Sequence, residues 1–352
     1  MDRRTFLLTT GRWLLLASLA PTLSGCARLL RASDNQNRST ETEGANPDTS
    51  GSTGSSASVT TSPLTPTSSS TGSTAAGFST NPFVPPDLAV VKGEVVEKNV
   101  RTAVALLGGM ERFVKKGGKV VIKPNVLTGR PPEYATTTSP ELMTAIIKMC
   151  WEAGAKEVVV FDRTTSDDRA AFETAGLAKA VSDAGGKLVY LSNRNYEQME
   201  IPEGKVLTSW PFVADALSAD SLINLTLPKH HSVAGATMTM KNLMGIMGGS
   251  RGRIHLEFAQ KIVDVNTLVK PTLAVLDAYR VLFRHGPTGG DLADVKLAKI
   301  LVAGTNQVSI DAYGTQFLDK RPTDFEWLRE AFKRGMGEID LTKLNIATSE
   351  AV

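Results

Sequence analysis

The chain has 352 residues, a formal net charge of +3, 41% hydrophobic residues, two cysteines and four histidines. So small a net charge, with no long basic tract or aromatic ladder, gives no footprint for a nucleic-acid backbone, and none is expected as a partner. Two cysteines exclude a disulfide framework and a self-contained iron–sulfur cluster, which takes four thiolates.

Arg3-Arg4 followed by Phe6-Leu7 opens a short positive region, an apolar run spans Trp13 to Leu19, and Leu23-Ser24-Gly25 precedes Cys26. The run is too short for a permanent span and has the form of a processed leader. The paired arginines resemble a twin-arginine export signal, and the four residues ending at Cys26 resemble a lipobox, in which cleavage leaves the cysteine to carry acyl chains. This implies a signal over 1–25, the twin-arginine machinery as partner, and an exported protein anchored through Cys26 to the lipid of the cell membrane or outer membrane. Acyl anchoring is durable because each buried methylene contributes about 0.8 kcal/mol. From 31 to 80, 24 of 50 residues are Ser or Thr, with hardly any large apolar side chain. Such a segment cannot offset the entropy of ordering, so 26–80 is expected to be a disordered tether with a reach on the order of 40 Å.

A Pro-rich boundary at 82–86 introduces the part expected to fold, 81–352. Apolar spacing predicts a helix over 98–114, stopped at Gly117-Gly118, then a strand over 119–123 ending at Pro124-Asn125. Ser139-Pro140-Glu141 reads as a capped helix start, and 157–161 as a strand with Asp162 at its carboxyl end. A short helix after Gly176, a strand over 187–191, a helix-like 212–217 and an apolar strand over 221–225 follow. Strands return at 273–276 and 299–302, with helices over 308–318 and 324–332. This alternation predicts an α/β fold, a mainly parallel sheet covered by helices on both faces, and leaves the strand order open.

Polar groups recur where these strands end. Lys123, Asn125, Lys229, Lys241, Asn242 and Arg251 are candidate ligand-binding residues, because strand carboxyl ends in an open α/β sheet converge on a crevice suited to an anion. His231 is the candidate proton-transfer group, with Asp162 or Asp277 to orient it. In an extended segment Lys229 and His231 share one face and His230 points the other way. His231 and His255 with Asp162 or Asp264 are weak metal candidates, since no tight multi-ligand motif is present. No dinucleotide or phosphate-loop motif specifies a cofactor, which stays unknown.

Val121 to Asn125, Ala153-Gly154 with Asp162, Asn224-Leu225, Pro228-Lys229 with His231, Lys241 to Gly245, His255, Asp264, Lys270-Pro271, Asp277, Gly286-Pro287 and Asp311 resemble the domain of unknown function 362 (DUF362) family over roughly residues 90 to 320. Some members carry ferredoxin-like cysteine modules that this chain lacks, and Asn306 stands where the family usually presents aspartate. The resulting expectation is a domain that binds a polar or anionic small ligand. Acid–base or hydrolytic activity, noncatalytic binding or assembly in the cell envelope, and a redox-associated role stand as its alternatives.

Overall fold

The computed structural model describes residues 83–351, so the leader, Cys26 and the expected tether lie outside the described residues. In chain order the regular elements are β1 (Leu88–Gly93), α1 (Val96–Leu106), β2 (Lys119–Lys123), α2 (Pro140–Glu152), β3 (Glu157–Val160), α3 (Asp168–Thr174), α4 (Leu177–Asp183) and β4 (Lys187–Leu188). Next come β5 (Tyr196–Glu200), β6 (Ser209–Val213), α5 (Ala214–Ser218), β7 (Ser221–Thr226), β8 (Lys229–His231), β9 (Gly235–Thr237), α6 (Thr239–Asn242) and α7 (Phe258–Leu268). The chain closes with β10 (Leu273–Leu282), β11 (Val295–Gly304), α8 (Gln307–Gly314), α9 (Glu326–Lys333) and β12 (Ile346–Ala351).

The main sheet runs β12-β1-β11-β10-β7-β2-β3-β4, with β8 beside the end of β10 and β9 beside β8. Neighbours from β10 to β4 are parallel, and β1 with β12 is parallel too; along this path only β11 is reversed. The fold is therefore α/β with a mainly parallel sheet. Strands buried on both faces read as near-continuous apolar runs, as in VVI of β2 and VVV of β3, and β7 is buried at all six positions even where it carries Ser221, Asn224 and Thr226. Alternate residues feed two cores. Val120, Ile122, Val158, Val160, Ile223 and Val275 pack under α1, α2 and α4, whereas Val121, Val159, Leu222 and Leu276 pack against the α6 to α9 side.

Several expected elements are redrawn. The helix predicted over 98–114 stops at Leu106, because Gly108 and Gly109 take φ of +98° and +91°, left-handed values that end a helix. The helix-like 212–217 divides into the end of β6 and the short α5; Phe212 pairs with Glu197 in a separate two-stranded sheet. The strand predicted over 273–276 continues through Asp277 to Leu282, held by antiparallel pairing with β11. Asp277 is consequently a mid-strand residue and not a strand-end acid. The start at Pro140 is as predicted, with the Ser139 hydroxyl accepting from the Leu142 amide at 3.3 Å.

Candidate active site: a cationic cleft at the strand ends

The carboxyl ends of β2 and β3 and the start of β8 open on one cleft of about 890 Å³. Lys123 ends β2, Asp162 follows β3, and Lys229 and His231 occupy β8, whose Lys229 registers with Leu282 of β10. Because β8 is a strand, Lys229 and His231 both face the cleft. His230 faces a second cavity and packs its ring nitrogen against the Gly286 carbonyl. α6 brings Lys241 and Asn242, and the segment from Gly249 to His255 closes the wall with Arg251 and Arg253. All six candidate ligand-binding residues, together with His231, His255 and Asp162, thus line one cavity.

A buried amide network fixes the floor. Asn242 Oδ1 accepts from Asn125 Nδ2 at 2.8 Å and from Lys123 Nζ at 3.2 Å. Asn242 Nδ2 donates to Asn224 Oδ1 at 2.7 Å and to the Leu225 carbonyl at 3.1 Å. Asn224 Nδ2 donates in turn to Gln307 Oε1 at 2.5 Å, and Gln307 Nε2 to Asn266 Oδ1 at 2.8 Å. Asp311, on α8, accepts from the Thr239 amide at 2.7 Å, the Thr239 hydroxyl at 2.5 Å and the Met240 amide at 2.9 Å. It anchors the start of α6, and so sets where Lys241 and Asn242 stand. Asn306 Oδ1 caps α8 at the Ser309 amide, a task amide and carboxylate perform equally well.

Lys123 Nζ lies 2.9 Å from Asp162 Oδ1, both side chains almost fully buried, and Asp162 Oδ2 accepts from the Val126 amide at 2.6 Å. Burial pushes the ammonium down and the carboxyl up in pKa, and their mutual attraction opposes both shifts. Gly245 makes room for this pair: a Cβ there would sit 2.0 Å from Asp162 Oδ1 and 2.5 Å from Lys123 Nζ. Lys229 Nζ donates to Asn125 Oδ1 at 2.8 Å and to the Thr136 carbonyl at 2.6 Å, with no carboxylate partner. Burial, then the neighbouring Lys241, brings its pKa down to about 7; burial and Arg251 bring Lys241 to about 7 as well. Asp162 is the single carboxylate among the lining residues, against Lys123, Arg163, Lys229, Lys241, Arg251 and Arg253.

The histidines have defined faces. His231 Nδ1 accepts from the Val233 and Ala234 amides, both at 3.1 Å, which places the proton of the neutral ring on Nε2. Burial, followed by Lys241 and His255, pushes the ring's pKa down to about 3. His255 stacks on His231 with centroids 5.4 Å apart; its Nδ1 meets the Gly252 carbonyl at 3.3 Å and its Nε2 is buried without a partner.

Two candidates lie elsewhere. Asp277 accepts from the Ser139 hydroxyl at 2.8 Å and the Tyr279 amide at 3.0 Å and does not line the cleft, so it cannot orient His231. Asp264 is spent on the Lys205, Val206 and Leu207 amides and on Arg334, and so is not brought to the histidines. With Asp162 paired to Lys123, the metal set considered from sequence is not assembled, and no group of three or more metal-ligating side chains occurs among the described residues.

Sequence reading missed the other wall. Arg163 to Ser166 follow Asp162 directly in the strand-end loop, which was the available signal. Arg251 donates to the Arg163 carbonyl at 2.7 Å and the Thr164 carbonyl at 3.1 Å, clasping this loop to the 249–255 segment. Thr237 also lines the cleft, with a buried hydroxyl that finds no partner.

A family model described as "Domain of unknown function (DUF362)" matches residues 120–316, more than half of the chain and every residue that lines the cleft. The chain is 31% identical over 238 residues to thylakoid-associated protein sll1697 of Synechocystis sp., covering 64% of this chain and 70% of that protein. Among solved structures, the lactate racemase apoprotein from Thermoanaerobacterium thermosaccharolyticum aligns at a TM-score of 0.38 and 13% identity, over 65% of this chain and 56% of that one. The family match, with the segments around Lys123, Lys229 and Lys241 inside it, places this chain in the DUF362 family.

Proposed function

We propose that the cleft binds a small anionic ligand. The observation that carries this reading is that Lys229 and Lys241 are buried beside a cavity whose one carboxylate is already paired with Lys123. A buried cation without a counter-ion is costly, and an oxyanion entering the cleft removes that cost through charge-assisted hydrogen bonds. His231 then serves as a neutral Nε2–H donor to the ligand. Of the proton-transfer roles expected of His231, this tautomer favours donation from Nε2–H, because the Nδ1 lone pair is already occupied by two backbone amides.

Calorimetry of the full chain with sulfate and oxalate tests this. Lys229→Ala should weaken binding by roughly 1.5–3 kcal/mol, on the order of 10- to 100-fold in Kd. Absence of binding at millimolar concentration, or equal affinity in a variant shown folded by circular dichroism, would overturn the reading.

The proposed location is the extracytoplasmic face of a membrane, anchored through a lipidated Cys26. It is supported by the ordered leader features and by the membrane association in the name of the Synechocystis relative. No helix among the described residues is long and apolar enough to cross a membrane. Intact mass and fractionation should show an acylated, membrane-bound wild type and an unprocessed or released Cys26→Ala. Normal membrane maturation of Cys26→Ala sinks the anchor, and unchanged export of Arg3→Lys/Arg4→Lys sinks the route.

A further inference from the structure

The three lysines of the cleft are not equivalent. Lys123 is committed to Asp162, Asn242 and the Pro124 carbonyl, and Lys229 to Asn125 and the Thr136 carbonyl. The Lys241 side chain makes no hydrogen bond or ion pair with any described residue, although the residue is only 9% exposed and lines the cleft. Its backbone is held by the Asp311 anchor at the start of α6 and by the amide network of its neighbour Asn242. The result is an amine on an anchored backbone, lining a ligand-sized cavity, with nothing in the described protein to occupy it.

Resting on the anionic-ligand reading above, we propose that Lys241 is a covalent site whose amine condenses with the carbonyl of a small 2-oxo acid. The acid's carboxylate is held by Lys229 and the arginines of the cleft wall. In this step the Nζ lone pair forms a bond to the carbonyl carbon and the C=O π pair moves to oxygen. Both amine protons leave with that oxygen as water, giving a C=N bond, so no oxidant or reductant is consumed. His231 Nε2–H is a donor for the developing oxygen, and His255 Nε2, buried with a free lone pair, is an acceptor that carries the amine proton to it. The neutral amine is accessible at working pH because burial and Arg251 hold Lys241 near 7, as with other lysines activated by desolvation beside a cation.

The test is reductive trapping on the full chain. Pyruvate with cyanoborohydride, which delivers hydride to the imine carbon and fixes the adduct, is followed by peptide mass mapping. Lys241 should be labelled at least about 10-fold faster than the exposed Lys148, with a bell-shaped pH profile near neutrality, since amine form and carboxylate affinity change in opposite directions. Sulfate should protect it, and Lys241→Arg, which keeps a positive charge but no nucleophilic amine, should remove the fast-labelled site. If sulfate binds but Lys241 is labelled no faster than Lys148, the covalent proposal fails and the anion site stands. If sulfate neither binds nor protects and no label forms, both fail. Fast labelling of Lys241 that sulfate does not slow, although sulfate binds, places the amine outside the anion site and also overturns the proposal.

Discussion

Asp162→Ala should destabilise the folded protein by about 3–5 kcal/mol, measured as a lowered urea midpoint at unchanged slope. The size follows from what is left behind. Lys123 is 0% exposed, and its ammonium would keep only an amide oxygen at 3.2 Å and the Pro124 carbonyl as partners once the carboxylate at 2.9 Å is gone. The Val126 amide would lose its acceptor at 2.6 Å in the same stroke. Removing both charges together is a different matter. Lys123→Met/Asp162→Leu leaves no orphaned ion, and buried pairs replaced by apolar groups of similar volume are often neutral, so the double variant should recover most of the loss. The space opened by Gly245 limits how large the replacement at 162 can be. A single Asp162→Ala as stable as wild type would mean that Lys123 is already neutral in the fold, and the electrostatics assigned to the cleft would have to be rebuilt.

The sheet was legible because its central strands are buried on both sides. Val120 to Ile122 and Val158 to Val160 are apolar runs entered from glycine turns, Leu222 to Leu225 is apolar but for Asn224, and such runs announce a covered parallel sheet. The clustering of polar groups was legible for the same reason, since the end of each run is where a parallel sheet opens to a crevice. The partner of each acid was not. Asp162, Asp264 and Asp277 look alike in sequence, and only the tertiary fold sends the first to Lys123, the second to the 205–207 amides and the third to Ser139. The reversal of β11, which carries β10 past Asp277, depends on pairings such as Asp277 with Leu301 between residues distant in sequence and leaves no local mark. His231 shows the limit most clearly: its location was predictable from alternation in an extended segment, but its tautomer is set by two amides that turn back after β8.

Sulfate affinity should be flat below pH 7 and fall above it, by on the order of 100-fold or more between pH 7 and pH 9. In the empty cleft Lys229 and Lys241 lose their protons near 7, against 10.5 in the unfolded chain, and a bound dianion draws those protons back. Below 7 both lysines are charged with or without ligand, so binding takes up no proton and affinity does not change. Above 7 the free cleft is neutral at one or both positions, and each proton that binding must recruit adds up to one decade of weakening per pH unit. Sulfate keeps its charge across this range, so the slope reports the protein alone. The folding linkage has the opposite direction in the empty protein. Between 7 and 10.5 the unfolded chain holds more protons than the native one, so unfolding free energy rises with pH there, and the penalty of two buried cations is fully present below 7. Saturating sulfate should flatten that rise, because the bound cleft keeps its protons. Lys241→Met should reduce the limiting slope of binding from two protons to one, and a proton uptake read by calorimetry in two buffers of different ionisation heat should fall with it. Affinity that stays constant from pH 6 to pH 9 would show that these two lysines do not hold the anion.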